Sequence, residues 1–202
     1  MNSKILLIDD YHIDKRTGLN RIINPGAKVE HPVLVADQPW EAINQMGGTV
    51  TKEESLYRMW YDSWVHNTQH NGYSSLYAES DDGINWIKPN LKKYKDFNGN
   101  INNNIYLNRI SLRENTISPP PDVEQDHNKN ILYTPHLGKG KTYTMIAYEY
   151  GRTAYGPYDG YYLAYSDDGI NWTDGPIEPV IPGHADVGWF MYDGQDKKFR
   201  GI

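Results

Sequence analysis

Short apolar and aromatic runs separated by turn-forming residues make up most of the hydrophobic pattern of this chain. The runs Leu56–Asp62 and Tyr73–Glu79 have strand length and carry large aromatic side chains. Asp81–Gly83 follows the second run and is typical of a tight turn, because Asp hydrogen-bonds its own backbone and Gly accepts a positive φ. Helical periodicity is weak, and one short helical turn is predicted at Trp40–Gln45. The pattern therefore predicts a chain built mainly of short strands.

One part of this pattern occurs twice at a fixed distance. The seven residues Ser80–Trp86 reappear letter for letter as Ser166–Trp172, 86 residues further along the chain. Upstream of them, Tyr57 has its counterpart in Tyr143 at the same offset. Two matches that share one offset, with no gap between them, indicate a duplicated supersecondary unit.

The same pattern predicts the remaining strands of both copies and the beginning of a third unit. These strands are Gly47–Thr51, Ile131–Thr134, Thr142–Tyr148, Tyr161–Tyr165, Val187–Tyr192 and a strand that starts at Lys198. Small antiparallel sheets cannot bury both faces alone, so their serial repetition favours an all-β fold of the β-propeller type. Pro89–Glu124, rich in Asn and Pro, is predicted to be an excursion between units, with a polar loop at Asn98–Asn104.

This organisation predicts one partial propeller domain over residues 1–202. It consists of an N-terminal strand and loop at 1–46, a first blade with its excursion at 47–130, a second blade at 131–186 and the start of a third blade at 187–202. Two blades and a fragment do not close a ring, and the bare sheet edge and apolar face that result recruit other chains. The pattern therefore predicts either a homo-oligomer or a missing C-terminal portion.

Composition excludes several classes of function. A mean hydropathy of −0.75 excludes a membrane protein, whereas 17 Tyr, 6 Trp and 3 Phe supply a core that a disordered chain would lack. Twenty basic and 26 acidic residues give a net charge of −6 without a long basic run, which excludes a nucleic-acid binder. The absence of Cys excludes disulfides and thiolate chemistry. The apolar run Ile5–Ile8 is too short for a signal-peptide core, and the cytoplasm and secretion after removal of a leader both stay open.

Several segments carry a family resemblance. They are Ile8–Tyr11, Thr17–Arg21, Asp37–Glu41, Tyr57–Tyr61, Tyr77–Trp86, Asn102–Ile105, Asp186 and Tyr192–Asp193. In this order they resemble the N-terminal portion of five-bladed propeller proteins of the glycoside hydrolase family 32 and 43 superfamily, the relatives of invertase, levansucrase and arabinanase. The resemblance implies about two blades and the start of a third, and hydrolysis of a poly- or oligosaccharide by two carboxyl groups. The general-acid Glu of such relatives commonly lies on a later blade, so the resemblance implies that the catalytic set is incomplete in this chain and that the chain alone is inactive.

The resemblance also implies an acidic residue where each innermost strand begins. The predicted catalytic residues are Asp37, Asp126 and Asp186. The predicted substrate-binding residues are Trp40, Glu41, Glu79, His184 and Trp189, the indoles because sugar C–H faces stack on them. The alternatives are that the Asp residues cap turns and that the Trp residues belong to the core, as is favoured for Trp60, Trp86 and Trp172.

Neither a metal nor a cofactor is predicted. His66 and His70 have the spacing of a helical zinc pair, but they lie in a predicted hairpin loop without a third ligand. A structural calcium ion would be compatible with the superfamily, but no residue pattern supports one. Two further classes of function compete with hydrolysis: a non-catalytic glycan-binding propeller, and a structural fragment that assembles with a partner chain.

Overall fold

The computed structural model is all-β, as predicted. It describes residues 9–22, 24–66, 71–107, 129–149, 152–153, 156–157, 159–176, 178–183 and 188–202. The chain divides into two compact units, Met1–His31 and Pro32–Ile202. In the first unit, the described residues form turns around Asp10, which is bound by Arg16 and Arg21. The apolar run Ile5–Ile8, which belongs to the predicted N-terminal strand, lies outside the described residues.

The first sheet has four antiparallel strands in the order β1-β2-β3-β4. These are β1 (Ile43–Glu53), β2 (Leu56–His66), β3 (Asn71–Ser80) and β4 (Ile105–Leu107). The strands predicted at 47–51, 56–62 and 73–79 are therefore confirmed, and each is longer than its prediction. The helical turn predicted at Trp40–Gln45 is wrong, because β1 already begins at Ile43 and pairs with Trp64 of β2.

The second sheet has the order β10-β9-β6-β5, with β11 also paired to β9. Its strands are β5 (Lys129–Tyr133), β6 (Tyr143–Glu149), β9 (Gly160–Ser166), β10 (Thr173–Asp174) and β11 (Ile181–Pro182). A 3-10 helix at Pro135–Leu137 joins β5 to β6, and β7 (Arg152–Thr153) pairs with β8 (Gly156–Pro157). β12 (Phe190–Asp193) and β13 (Lys198–Gly201) form a separate pair, the third hairpin.

The duplication is confirmed at the level of strand register. Tyr57 pairs with Ser80 in the first sheet, and Tyr143 pairs with Ser166 in the second, so the 86-residue offset holds across both hairpins. The turns after β3 and β9 share the same hydrogen bonds. In each turn, a Ser Oγ accepts the Gly N–H at 2.9 Å and an Asp Oδ1 accepts the following Ile and Asn N–H groups at 2.8 and 2.7 Å.

The two sheets differ in their outermost strand, which is interrupted in both. In the second sheet, residues 175–180 separate β10 from β11, whereas residues 88–104 separate the Glu79–Ile87 bridge from β4 in the first sheet. Residues 98–102 are exposed, as expected of a loop, but Asn103 and Asn104 are buried. Their side-chain amides bond backbone groups, including the carbonyls of Tyr94 and Tyr77, and this pairing allows polar residues to lie in the core.

The sheets pack against each other through an aromatic interface. Trp60 and Tyr77 of the first sheet contact Tyr143 and Met145 of the second, and Trp60 Nε1 donates to the Gly169 carbonyl at 2.7 Å. The opposite face of the first sheet is covered by the chain's own loops. The residues on that side are Leu34, Trp40, Trp86, Tyr94 and Phe97. Trp60 and Trp172 are buried as predicted, whereas Trp86 is only partly buried.

Neither a membrane-spanning helix nor a metal-binding cluster occurs among the described residues. No helix among them combines the length and apolar character that crossing a membrane requires. In the same part of the chain, no three His, Asp or Glu side chains lie close enough together to hold a metal ion.

Candidate functional site

The first strands of the three units lie side by side in chain order. The Ile131 N–H of β5 donates to the Thr49 hydroxyl of β1 at 2.9 Å. On its other side, Asn130 donates from its amide to the Gly188 carbonyl at 2.9 Å and accepts the Phe190 N–H of β12 at 3.4 Å. β5 therefore lies between β1 and β12, and the sequence predicts candidate carboxylates ahead of each of these strands.

A buried ion pair lies between the two sheets where β5 begins. Lys129 Nζ is 3.5 Å from Asp62 Oδ1, which also accepts the Ser75 hydroxyl at 2.9 Å. Asp62 Oδ2 has no hydrogen-bond partner among the described residues. Burial, followed by the Asp62 charge, raises the pKa of the Tyr106 hydroxyl well above its usual value, so this phenol stays protonated. The cluster ties the sheets together beneath the strand beginnings.

A second ion cluster holds the loop that precedes β1. Lys88 Nζ contacts Asp37 Oδ1 at 2.7 Å, Glu41 Oε2 at 2.6 Å and the Val35 carbonyl at 2.7 Å. The backbone N–H groups of Asp37 and Gln38 donate to the same Glu41 oxygen at 3.1 and 3.2 Å. The hydrogen bond from Lys88 lowers the pKa of the Asp37 carboxyl. Asp37 is therefore ionised at neutral pH.

The other Glu41 oxygen begins a chain of hydrogen bonds into the first sheet. Tyr61 donates its hydroxyl to Glu41 at 2.7 Å, Asn104 donates to the Tyr61 oxygen at 2.9 Å, and Trp40 Nε1 donates to Asn104 at 2.8 Å. Burial and then the Glu41 charge raise the pKa of Tyr61, which keeps it a donor. Trp40 is only 6% exposed. The structure thus brings Asp37, Trp40 and Glu41 together, in an arrangement that fixes the loop on the sheet.

Glu79 lies at the other end of β3. Across the β2–β3 ladder, Glu79 pairs with Arg58 and Ser75 pairs with Asp62. Glu79 therefore lies four residues along β3 from Ser75, which is about 13 Å at the usual rise per residue. Tyr77 donates its hydroxyl to Glu79 at 2.7 Å and accepts from Arg58 at 2.7 Å. Glu79 is therefore separate from the strand beginnings, and its predicted contact with substrate stays a prediction.

The indole of Trp189 is exposed enough to stack on a sugar, as its predicted role requires. It directly precedes β12 and is 47% exposed, while its backbone pairs with Ile202 through two hydrogen bonds of 3.0 Å. Asp126, His184 and Asp186 lie outside the described residues. The roles assigned to these residues stay predictions.

Sequence reasoning missed the cations that hold these carboxylates. Lys88 follows a turn and Lys129 precedes an apolar strand, so both match the pattern of solvated strand ends. Asp62 could have pointed to one of them, because a carboxylate in the apolar run of a central strand is buried and requires a cation or hydrogen-bond donor as its partner.

Comparison with protein-family models finds no match, and neither does a search among curated proteins. Among solved structures, the chain is similar to exo-inulinase from Aspergillus awamori, with 16% identity and a TM-score of 0.45 over 82% of this chain and 35% of that chain. A BT0996 RGII complex gives 15% identity and a TM-score of 0.35 over 72% of this chain and 62% of that chain. A protein named glycoside hydrolase gives 15% identity and a TM-score of 0.33, again over 72% of this chain and 62% of that chain. The chain spans less than two thirds of each of these proteins.

Proposed function

We propose that this chain is the N-terminal portion of a five-bladed propeller of the glycoside hydrolase family 32 and 43 type, which acts on a poly- or oligosaccharide by carboxylate acid/base catalysis. The observation that carries the proposal is the side-by-side arrangement of β1, β5 and β12, each the first strand of a repeated unit. Such an arrangement gathers the residues at three strand beginnings around one surface, as a propeller funnel requires.

The proposed glycan lies across these strand beginnings. Trp189 offers a half-exposed indole at the start of β12, on which an apolar sugar face can stack. Asp186, three residues earlier in the sequence, is the proposed catalytic carboxylate on this unit, and Asp126 precedes β5 in the same way. Asp37 has a lowered pKa, so the role open to it is that of a base or a stabilising anion.

A second candidate function is glycan binding without hydrolysis. It is favoured by the contacts of Lys88, which binds both carboxylates of the loop before β1, Asp37 and Glu41. A carboxylate held by an ammonium group and by backbone N–H groups has little freedom to exchange a proton with a substrate. The surface around Trp189 would then bind sugar without cleaving it.

Release of reducing sugar and binding separate these functions when both are measured on one panel of glycans with a protein that carries the complete propeller. The variants are Asp186→Ala and Trp189→Ala, with Trp86→Phe as the control on a partly buried indole of the first sheet. Sugar release that Asp186→Ala abolishes while binding persists supports hydrolysis. Binding without release, weakened by Trp189→Ala, supports the second candidate. An absence of both on every glycan contradicts both proposals.

A further inference from the structure

The loop between the Glu79–Ile87 bridge and β4 contains the pair Asn98–Gly99. A turn closed by Asp96 surrounds this pair. The Asp96 N–H donates to the Asn100 carbonyl at 2.9 Å, and Asp96 Oδ1 accepts the N–H groups of Asn98 and Asn100 at 2.9 and 2.8 Å. Asn98 is exposed, and its side-chain amide has no hydrogen-bond partner among the described residues. This amide is therefore free to turn toward the backbone nitrogen of Gly99.

An Asn that precedes Gly is chemically labile, because Gly has no side chain that hinders attack by its own backbone nitrogen. Gly99 meets this condition in the structure, since a Cβ added to it would meet no atom within 4 Å. One hydrogen bond must open before the Gly99 nitrogen reacts, that of its N–H to the Asp96 carbonyl at 2.9 Å. Opening a single bond in an exposed turn requires little free energy.

A second Asn–Gly pair is held in a strand. Asn71 and Gly72 begin β3, where they pair with His66 and Val65 of β2. Ring closure between an Asn side chain and the next backbone nitrogen bends the chain, so this pair reacts only after the strand has opened. The two pairs are alike in sequence, and the structure exposes one and fixes the other.

The Asp–Gly pairs of the repeated turns are protected in a different way. Asp82 Oδ1 accepts the N–H groups of Ile84 and Asn85 at 2.8 and 2.7 Å, and Asp168 accepts the equivalent two N–H groups of the second turn. The bonds from Asn85 and then Ile84 hold the pKa of Asp82 well below its usual value. An ionised carboxylate is a poor electrophile, so the neutral amide of Asn98 is the more reactive centre.

We propose that Asn98 is a site of spontaneous deamidation and isoaspartate formation in the folded protein. The Gly99 backbone nitrogen loses its proton to solvent hydroxide and attacks the side-chain carbonyl carbon of Asn98. A new C–N bond closes a cyclic imide, the bond from this carbon to the side-chain nitrogen breaks, and ammonia leaves. Water then opens the imide at either carbonyl, which yields Asp or isoaspartate without oxidation or reduction.

Isoaspartate at this position disrupts the turn. It inserts an extra carbon atom into the backbone between Asp96 and Asn100, whose two mutual hydrogen bonds close the turn. The Asn100 carbonyl also accepts the side-chain amide of Asn103 at 2.8 Å, and Asn103 is only 2% exposed. Loss of this contact removes a partner from a buried donor, which lowers the free energy of unfolding.

Ageing of the full chain at mildly alkaline pH, followed by trypsin and mass spectrometry, tests the proposal. Cleavage after Lys95 and Arg109 separates residues 96–109 from the peptide that contains Asn71. Fragmentation should place the mass gain of an amide-to-acid conversion at Asn98. Its rate should exceed that at Asn71 about fivefold or more, because β3 must open first. In urea the two pairs should react at similar rates, and Asn98→Gln should remove the gain from this position.

The stability of the product provides a second readout. The isoaspartate form, isolated by chromatography, should melt below the Asn98→Asp variant, which carries the same charge on a backbone of normal length. Equal melting temperatures would contradict the effect on the turn. The proposal is overturned if residues 96–109 gain no mass in the folded chain while the chain in urea reacts, or if the folded chain is modified at Asn71 and Asn98 at the same rate.

Discussion

Gly83 and Gly169 occupy the same position in the two copies of the repeated turn. Both have a positive φ, +75° and +74°, so an Ala at either position meets the same backbone strain. Their surroundings differ: an added Cβ would lie 3.5 Å from the Tyr57 ring at position 83, but 2.5 Å from the Trp60 ring at position 169. We expect Gly83→Ala to lower the free energy of unfolding by about 1–2 kcal/mol.

Overpacking adds about 1–3 kcal/mol to the cost of Gly169→Ala. Urea unfolding of both variants measures the difference. Equal losses would contradict the close contact between Gly169 and Trp60.

Asp82 gives the turn after β3 a defined dependence on pH. Its carboxylate accepts the N–H groups of Asn85 and Ile84, and these bonds hold its pKa well below that of an ordinary Asp. A lowered native pKa contributes stability above the unfolded value of about 3.9, and this contribution is lost as the pH falls toward the native pKa. Asp82→Ala should therefore lower the melting temperature at pH 7, and its deficit relative to the parent should shrink below about pH 4.

The exposed neighbour Asp81 supplies the control for this titration, since Asp81→Ala changes the same net charge. Its effect on the melting temperature should be small at both pH values. A deficit of Asp82→Ala that stays constant between neutral and acidic pH would contradict the assigned role of the carboxylate.

At the scale of elements, the two sheets place equivalent indoles in different surroundings. Trp172 is buried between the sheets, whereas Trp86 lies partly exposed under the chain's own loops. Trp172→Ala should therefore cost about 3–5 kcal/mol, and Trp86→Ala clearly less. Trp172 Nε1 has no partner among the described residues, so Trp172→Phe removes an unpaired buried N–H and should cost clearly less than Trp172→Ala. Denaturant unfolding of the three variants checks this order, and equal costs of the two Ala variants would contradict it.

The strands and the duplication could be predicted from sequence because their signals are local. Aromatic runs of strand length and the identical turns at Ser80–Trp86 and Ser166–Trp172 need no knowledge of packing. The burial of Asn103 and Asn104 could not be predicted, since the partners of Asn104 on Tyr61 and Tyr77 lie far away in the chain. The local pattern of polar residues predicts an exposed loop for such a stretch.

The candidate site was predictable only in part, for the same reason. Aromatic character and position before a strand singled out Trp189, which is half exposed. The contacts of Asp37 and Glu41 with Lys88 join residues about fifty positions apart, and no periodic pattern encodes a contact of this kind. Sequence reasoning therefore found the carboxylates but not the cation that binds them.

At the scale of the whole molecule, the ion pair between Asp62 and Lys129 couples the two sheets. Both side chains are almost fully buried, at 4% and 3% exposure, so removal of the cation leaves a carboxylate in a poorly solvated site. We expect Lys129→Met to cost about 3–5 kcal/mol in a single cooperative transition. The double variant Lys129→Met with Asp62→Leu should recover much of this loss, because well-packed apolar residues replace a buried ion pair at little cost. Urea unfolding followed by Trp fluorescence measures the free energy of unfolding of the parent, of Lys129→Met and of the double variant. Lys198→Met, on the exposed strand β13, is the control. A double variant less stable than Lys129→Met alone would show that Asp62 is needed for contacts beyond its ion pair.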